Sequence, residues 1–415
     1  MPGTNAAASW SAPMLPGAAE IGGPEHNAVL AALDPAYIAA AATGTLPESA
    51  SWIRRFERGF AAMADTRYAT ATNSGTSALY AAFMALDISP GDEVIIPAYG
   101  FIACAAAVLA VGAIPVITDV DTTLTLDPVA VRRNMSAHTR AILAVHMRGM
   151  PANLHALQGI AAEYGVYLVE DAAQACGASY AGRPVGGQGT LGCFGFHPTK
   201  TITADQGGIV VTNDATLSAR VTCAANSEWI APQDEPGFDR PFTGLNLTMS
   251  HISAALATAQ LDRLPGLVSR MRERADILNA ELARSNHFQL RATPEHAAGT
   301  GNCVIFYAPS PAIALAVRHS LREGGIAAHV LYAEGEQNWR VFRCWTDVLA
   351  KRGRGPDNFP WSAARREITY PTGICSATID LLTRAVHIDV NPLMSLDETQ
   401  QLAARLARLT PTGLR

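Results

Sequence analysis

The chain has 415 residues and a formal net charge of −5, and it carries neither a basic run with interleaved aromatics nor an acidic tail, which excludes nucleic acid as a partner. With 49% apolar and only 16% charged residues, it reads as a compact globular protein of two or three domains whose sparsely charged surface admits large interfaces. Seven scattered cysteines (Cys104, Cys176, Cys193, Cys223, Cys303, Cys344, Cys375) form no CxxC pair and no Cys/His ligand spacing, which points to a reducing compartment, the cytoplasm, and away from structural metal.

Residues 1–20 lack a basic leader and are broken by proline and glycine, so they read as a flexible arm rather than a secretory signal. From about residue 68, short β-branched runs alternate with alanine-rich amphipathic segments, the pattern of βα units in a mostly parallel sheet covered on both faces. Strands are expected at 67–72, 92–97, 114–120, 140–147, 166–171, 191–196 and 208–213, with helices at 76–86, 101–111, 153–164 and 217–223. The long apolar stretch GFIACAAAVLAVGAIPVI is interrupted by glycine and proline and reads as a helix running into a buried strand, not as a membrane span. After a polar, proline-bearing linker (231–242), helices are expected at 250–264 and 267–285. A smaller α+β unit follows, with strands near 302–307 and 385–390 and helices near 311–322 and 396–408. The expected division is a large domain over 21–265 and a small C-terminal domain over 266–415.

Only two lysines stand against 29 arginines. Arginine replaces lysine wherever a surface charge suffices, but its guanidinium never deprotonates and cannot act as an amine nucleophile. Lys200, in the apolar, glycine-bounded run CFGFHPTKTITADQGG, is therefore a candidate chemical amine, whereas Lys351 in AKRGRGPDN reads as a solvated helix end.

Three further features fall at expected strand ends, where a doubly wound sheet places its ligands. Gly75 and Thr76 open a helix in NSGTSALYAAF and could cradle a phosphate with backbone N–H groups, although Ser-Gly-Thr is equally an ordinary cap. Asp171 ends an apolar strand and needs a partner, either a protonated ring nitrogen or the next helix's amides. Phe101 follows a strand directly, as core or as a plane to stack on a flat heterocycle. With Lys200, these are the groups a protein supplies to pyridoxal phosphate: a Schiff-base amine, a carboxylate for the pyridinium, an aromatic plane and a phosphate cradle.

The motifs N-S-G-T-S-A-L (73–79), P-A-Y-G-F-I-A (97–103), H-M-R-G-M-P-A (146–152), V-E-D-A-A-Q-A-C-G (169–177), F-H-P-T-K (196–200) and G-L-N-L-T-M-S (244–250) make the chain resemble the DegT/DnrJ/EryC1/StrS sugar aminotransferases, of the type I pyridoxal-phosphate fold. The resemblance implies Lys200 as the Schiff-base lysine, Asp171 on the pyridine nitrogen, Gln174 near the phenolic oxygen, Phe101 on the ring, and Gly75 and Thr76 on the phosphate. It also implies that Asn246 reaches the neighbouring subunit's cofactor phosphate, hence a homodimer with shared sites. The reaction it implies moves an amino group from L-glutamate or L-glutamine to a keto or aldehyde group of a sugar, cyclitol or related secondary metabolite.

Three positions depart from the family pattern: Gly195 in place of serine, Gln206 in place of glutamate and Thr248 in place of arginine. They leave open a dehydration, decarboxylation or substitution on an amino-acid-like substrate with the same cofactor. Arg148 is a candidate anion contact, Trp339, Arg340 and Trp345 candidate pocket rim, His197 a substrate or cofactor neighbour, and His387 and Asp389 one polar face of a strand.

Overall fold

The computed structural model describes residues 16–228, 242–285 and 287–410. Its strands are β1 (Tyr68–Thr72), β2 (Glu93–Pro97), β3 (Ile114–Thr118), β4 (Thr139–Val145), β5 (Tyr167–Asp171), β6 (Ser179–Tyr180), β7 (Arg183–Pro184), β8 (Leu191–Gly195), β9 (Gly208–Thr212), β10 (Gln289–Leu290), β11 (Ala297–Ala298), β12 (Cys303–Tyr307), β13 (Ala328–Val330) and β14 (Ala385–Asp389). Seven form one sheet in the order β1-β9-β8-β5-β4-β2-β3, and four more form a second in the order β10-β12-β14-β13. The large sheet is parallel except where β9 runs antiparallel to both β1 and β8. The second sheet is wholly antiparallel.

The seven strands of the large sheet fall where short apolar runs place them, β-branched in all but β8, because its central strands are buried on both faces. In β2, Val94 and Ile96 enter one apolar cluster and Ile95 the opposite one; in β4, Leu143 and Ile142 divide in the same way. A period of two with both phases apolar is what a strand sandwiched between helices requires. The helices start where short polar side chains can satisfy their free amides: Ser74 caps Gly75–Ala85, Asn153 caps Leu154–Tyr164 and Ser310 caps Pro311–Glu323.

Where two helices are expected on either side of Pro265, the structure has a single helix, His251–Ser285, of 35 residues. Proline removes one ladder bond, but here both halves are fixed by burial. Ala254, Ala257, Leu264, Leu267 and Met271 pack into the core beside the large sheet, and Ala275, Leu278 and Leu282 into the core of the small one. This helix spans the two cores.

Four helices precede β1 among the described residues that the reading from residue 68 onward does not place: the short Pro16–Ala19, then Gly23–Ala32, Pro35–Ala42 and Trp52–Met63. The last sets Phe56 edge-on to Phe196 at 5.2 Å and Phe60 edge-on to Phe194 at 4.8 Å, which clamps the strand leading to Lys200. Of the expected arm, Pro16–Ala19 is a short helix whose Gly17 N–H donates to the Lys200 carbonyl at 3.4 Å; residues 1–15 lie outside the described residues, as do 231–241 of the polar linker. Among the described residues no helix is long and apolar enough to cross a membrane. All seven cysteines are free.

Candidate functional site

The parallel strands β4, β5 and β8 end side by side, with Val145 paired to Asp171 and Asp171 to Cys193. Lys200 lies in the turn between β8 and β9. That turn is held by the Phe196 amide on the Gly207 carbonyl (2.8 Å), the Ala204 amide on the Phe196 carbonyl (2.9 Å) and the Thr203 hydroxyl on the same carbonyl (3.2 Å). Lys200 and Gln174 line one cavity of about 500 Å³ together with Arg148, Arg340, His387 and Asp389. Burial pulls the Lys200 ammonium down from 10.5 to about 8; Arg340 and Arg148 push the same way, against the opposing pull of Asp171.

Asp171 is buried and its two oxygens are separately engaged. Oδ1 accepts from the Ala173 amide at 3.0 Å, and Oδ2 accepts from the Cys104 thiol at 3.5 Å. Burial, with the adjacent Asp171 charge, pushes the Cys104 thiol far above its usual range, so it stays a neutral donor. Cys104 is part of the site that no motif marked, since an apolar helix gives no signal of a contact with a strand two layers of sequence away.

Gly75 opens its helix directly against Gly195: a Cβ on Gly75 would sit 3.1 Å from the Gly195 Cα, and one on Gly195 would sit 3.3 Å from the Gly75 Cα. The Ser74 side chain is engaged by the Ser77 amide at 3.0 Å, while the first amides of the helix have no partner within it. Thr76 is exposed beside them. A glycine-lined helix start of this kind can cradle an anion such as a phosphate.

The remaining expected residues are distributed as follows. Phe101 is half exposed, and the backbone on either side of it is pinned by the Gly100 amide on the Arg340 carbonyl (2.9 Å) and the Ile102 amide on the Trp339 carbonyl (3.0 Å). Gln174 accepts from the Arg148 amide at 3.4 Å. Asn246 is exposed and accepts from the Thr248 hydroxyl at 2.8 Å, and the following Leu247 carbonyl accepts from the Asn73 amide at 2.7 Å, so this segment lies against the phosphate-cradle loop of its own chain. Gln206 and His197 are exposed, the latter with Nδ1 3.1 Å from the Thr199 hydroxyl.

Two readings change. Trp345 is fully buried with its indole N–H on the Trp339 carbonyl at 2.9 Å, so it is core and not rim; an aromatic in a loop reads as surface only until its packing is seen. Lys351 is not a solvated end, because its ammonium donates to the Ile368 carbonyl at 3.0 Å. His387 and Asp389 do share one face of β14, and that face is a wall of the Lys200 cavity.

Residues 33–352 match the DegT/DnrJ/EryC1/StrS aminotransferase family. The chain is 33% identical over 290 residues to the GDP-perosamine synthase of Caulobacter vibrioides, covering 70% of this chain and 74% of that protein. It is 38% identical over 251 residues to the L-glutamine:2-deoxy-scyllo-inosose aminotransferase of Micromonospora echinospora, covering 58% and 60%. The matched stretches are less than two thirds of the length of several other curated relatives. In three dimensions it superposes on the crystal structure of 3-amino-5-hydroxybenzoic acid synthase with a TM-score of 0.77 at 27% identity, over 97% of this chain and 100% of that one. Pyridoxal phosphate is the cofactor this family uses, and Lys200 and Gln174 are the expected cofactor residues that line the cavity. The chain belongs to the DegT/DnrJ/EryC1/StrS aminotransferase family.

Proposed function

We propose that the protein is a pyridoxal-phosphate-dependent aminotransferase that takes the amino group of L-glutamate or L-glutamine and delivers it to a keto or aldehyde group of a sugar, cyclitol or related secondary metabolite. The observation that carries this reading is Lys200 in a desolvated cavity, its amine drawn down to about 8 and coupled to the buried Asp171. Relatives that bear aminotransferase names, including one that uses a cyclitol ketone, favour transfer over dehydration, decarboxylation or substitution.

When bound, the cofactor supplies a ring that stores the amino group and disperses carbanionic charge. Lys200 would anchor it covalently and, once displaced by an incoming amine, carry on Nζ the proton taken from the donor's α-carbon. Asp171 would hold the proton on the ring nitrogen, with its carboxylate oriented by Cys104 and Ala173. Gly75 and Thr76 would bind the phosphate through helix N-terminal amides, Phe101 would stack on the ring and Gln174 would lie by its phenolic oxygen. The exposed Asn246 would act on the cofactor phosphate of a second copy, which makes the working form a homodimer with shared sites. We place it in the cytoplasm, where seven free cysteines persist.

The test is a half-reaction. The protein loaded with pyridoxal phosphate is mixed with L-glutamate or L-glutamine, and the expected result is conversion of the cofactor to its amine form with stoichiometric release of the 2-oxo acid. Retention of the aldehyde form with both donors would overturn the assignment.

A further inference from the structure

Arg148 holds an unusual backbone. Its φ is 54° and its ψ 42°, in the left-handed region, and Gly149 follows at φ 75°. For a residue with a side chain this conformation is strained and persists only when its surroundings impose it. Here they do: Thr300 donates its amide to the Gly149 carbonyl at 3.0 Å, Arg291 donates to the Met147 carbonyl at 2.7 Å, and a Cβ on Gly149 would collide with Thr300 and Asn302. The strained turn leaves the Arg148 side chain on the wall of the Lys200 cavity, with its Nε buried and without a hydrogen-bond partner among the described residues.

Arg340 reaches the same cavity from the other half of the chain, fixed by its carbonyl on the Gly100 amide. The two guanidiniums repel: Arg148 helps depress the Arg340 charge after burial itself, and both depress Lys200. The other ionisable groups of the cavity do not balance them. His387 is held far below its usual range by burial and by the arginines, and burial likewise lowers His329, so neither is cationic at neutral pH. Glu336 is exposed and paired with Arg318 at 2.7 Å. Asp389, partly buried with its carboxylate 3.2 Å from His387 Nε2, is the carboxylate that faces the two arginines on the wall, its acidity weakened by burial and partly restored by Arg148. Arg291, also buried, is spent on the Thr123 and Met147 carbonyls. Apart from Lys200, whose amine the cofactor would take, two guanidiniums against one carboxylate leave a single positive charge and an unsatisfied donor, the complement of one anionic group with planar acceptors.

We propose that Arg148 and Arg340 together form a carboxylate subsite beside Lys200. This deepens the transaminase reading and rests on it for the identity of the bound molecule. The carboxylate comes either from the amino donor, whose α-carboxylate adjoins the reacting carbon, or from an acidic acceptor. Arg148 and Arg340 act on binding and orientation and take no part in proton transfer.

The test uses the protein loaded with pyridoxal phosphate, titrated calorimetrically with glutarate and with its neutral diamide, glutaramide. Glutarate is expected to bind in the unaltered protein, and about tenfold or more weakly after Arg340→Gln or Arg148→Gln, as loss of a charge-assisted pair implies, with cofactor absorbance retained. Arg340→Gln lies in a loop and keeps the test valid should Arg148→Gln fail to fold. Equal binding of glutarate in the unaltered protein and in Arg340→Gln, or glutaramide binding as tight as glutarate, would overturn the subsite. The source is read from half-reactions: a raised half-saturating L-glutamate concentration with unchanged maximal conversion assigns the donor carboxylate. An unaffected donor step, with slower return from a carboxylated ring ketone but not from a neutral keto-cyclitol, assigns the acceptor. If the unaltered protein releases no 2-oxo acid, the transaminase reading falls while the glutarate titration still decides the subsite.

Discussion

Gly75 and Gly195 meet backbone to backbone: a β-carbon on either would lie 3.1–3.3 Å from the other's Cα. The start of one helix and the end of β8 are thus packed closer than a side chain fits without a small shift, and the helix amides that would cradle a phosphate are placed by that contact. Gly195 stands where the resemblance carries a serine.

Gly195→Ala is expected to force the helix start outward by a few tenths of an ångström and to destabilise by about 1–3 kcal/mol, the usual cost of overpacking. Denaturant midpoints at constant slope measure it. Equilibrium dialysis of pyridoxal phosphate should show weaker retention in the same variant, and unchanged retention would separate the contact from the cradle.

Lys200 lies at about 8 in the folded protein against 10.5 for an ordinary lysine. The neutral amine is the nucleophile, so capture of pyridoxal phosphate by the apoprotein should accelerate with pH and level off above about 8. A rate still climbing at 10 would mean an unperturbed amine. Borohydride reduction followed by peptide mapping should place the label on the peptide of Lys200, and a label on Lys351 would reverse the assignment.

The same shift has a consequence for stability. Between 8 and 10.5 the unfolded chain binds a proton at Lys200 that the folded chain does not, so stability rises with pH across that window, and below it the full penalty is present. Lys200→Met should therefore raise the melting temperature of the apoprotein below pH 8, and the gain should shrink toward pH 10.5. Melting curves at both ends of the window test this.

Glu170, one residue before Asp171, is fully buried. It accepts from His146 Nε2 at 2.9 Å and from the Gly186 and Gln188 amides at 2.7 and 2.8 Å, while His146 Nδ1 accepts from the Ala152 amide at 3.0 Å. Burial opposes its charge, but His146 and these amides outweigh burial and hold the carboxyl below 4.5. A depressed carboxyl stabilises above its unfolded value and loses that contribution as pH falls through the folded one. Glu170→Ala leaves those donors unpaired and should cost about 3–5 kcal/mol, as for other broken buried pairs, and it should flatten the acid limb of the stability curve.

Cys104→Ala removes a donor from Asp171 and should lower cofactor affinity, whereas Cys104→Ser, which keeps a donor of similar size, should restore most of it. Titration of the cofactor's absorbance with pH distinguishes this from a packing effect, because a change at Asp171 alters the charge on the ring nitrogen and so moves the titration of the imine conjugated to it.

Much of the fold was legible in the sequence because it is written locally. Each strand of the large sheet is a short, mostly apolar run, β-branched in all but β8 (LGCFG), and three of the helices carry their own caps at Ser74, Asn153 and Ser310. The antiparallel placement of β9 was not legible, since its run of GIVVT is equally apolar in either direction and only the pairing partners β1 and β8 orient it. Pro265 reads as a break and is not one, because burial in two cores outweighs the loss of one helical bond.

The sequence by itself determined the strands, the family resemblance and the singular Lys200 with Asp171, because strand periodicity and motif spacing operate within short windows. Tertiary structure alone decided that Cys104 lies on Asp171, that Gly75 abuts Gly195, that Trp345 is core, and that Arg148 and Arg340 share a wall. Those contacts join residues far apart along the chain, and no local preference encodes them. They exist only once the two cores close around the spanning helix and desolvate the groups between them.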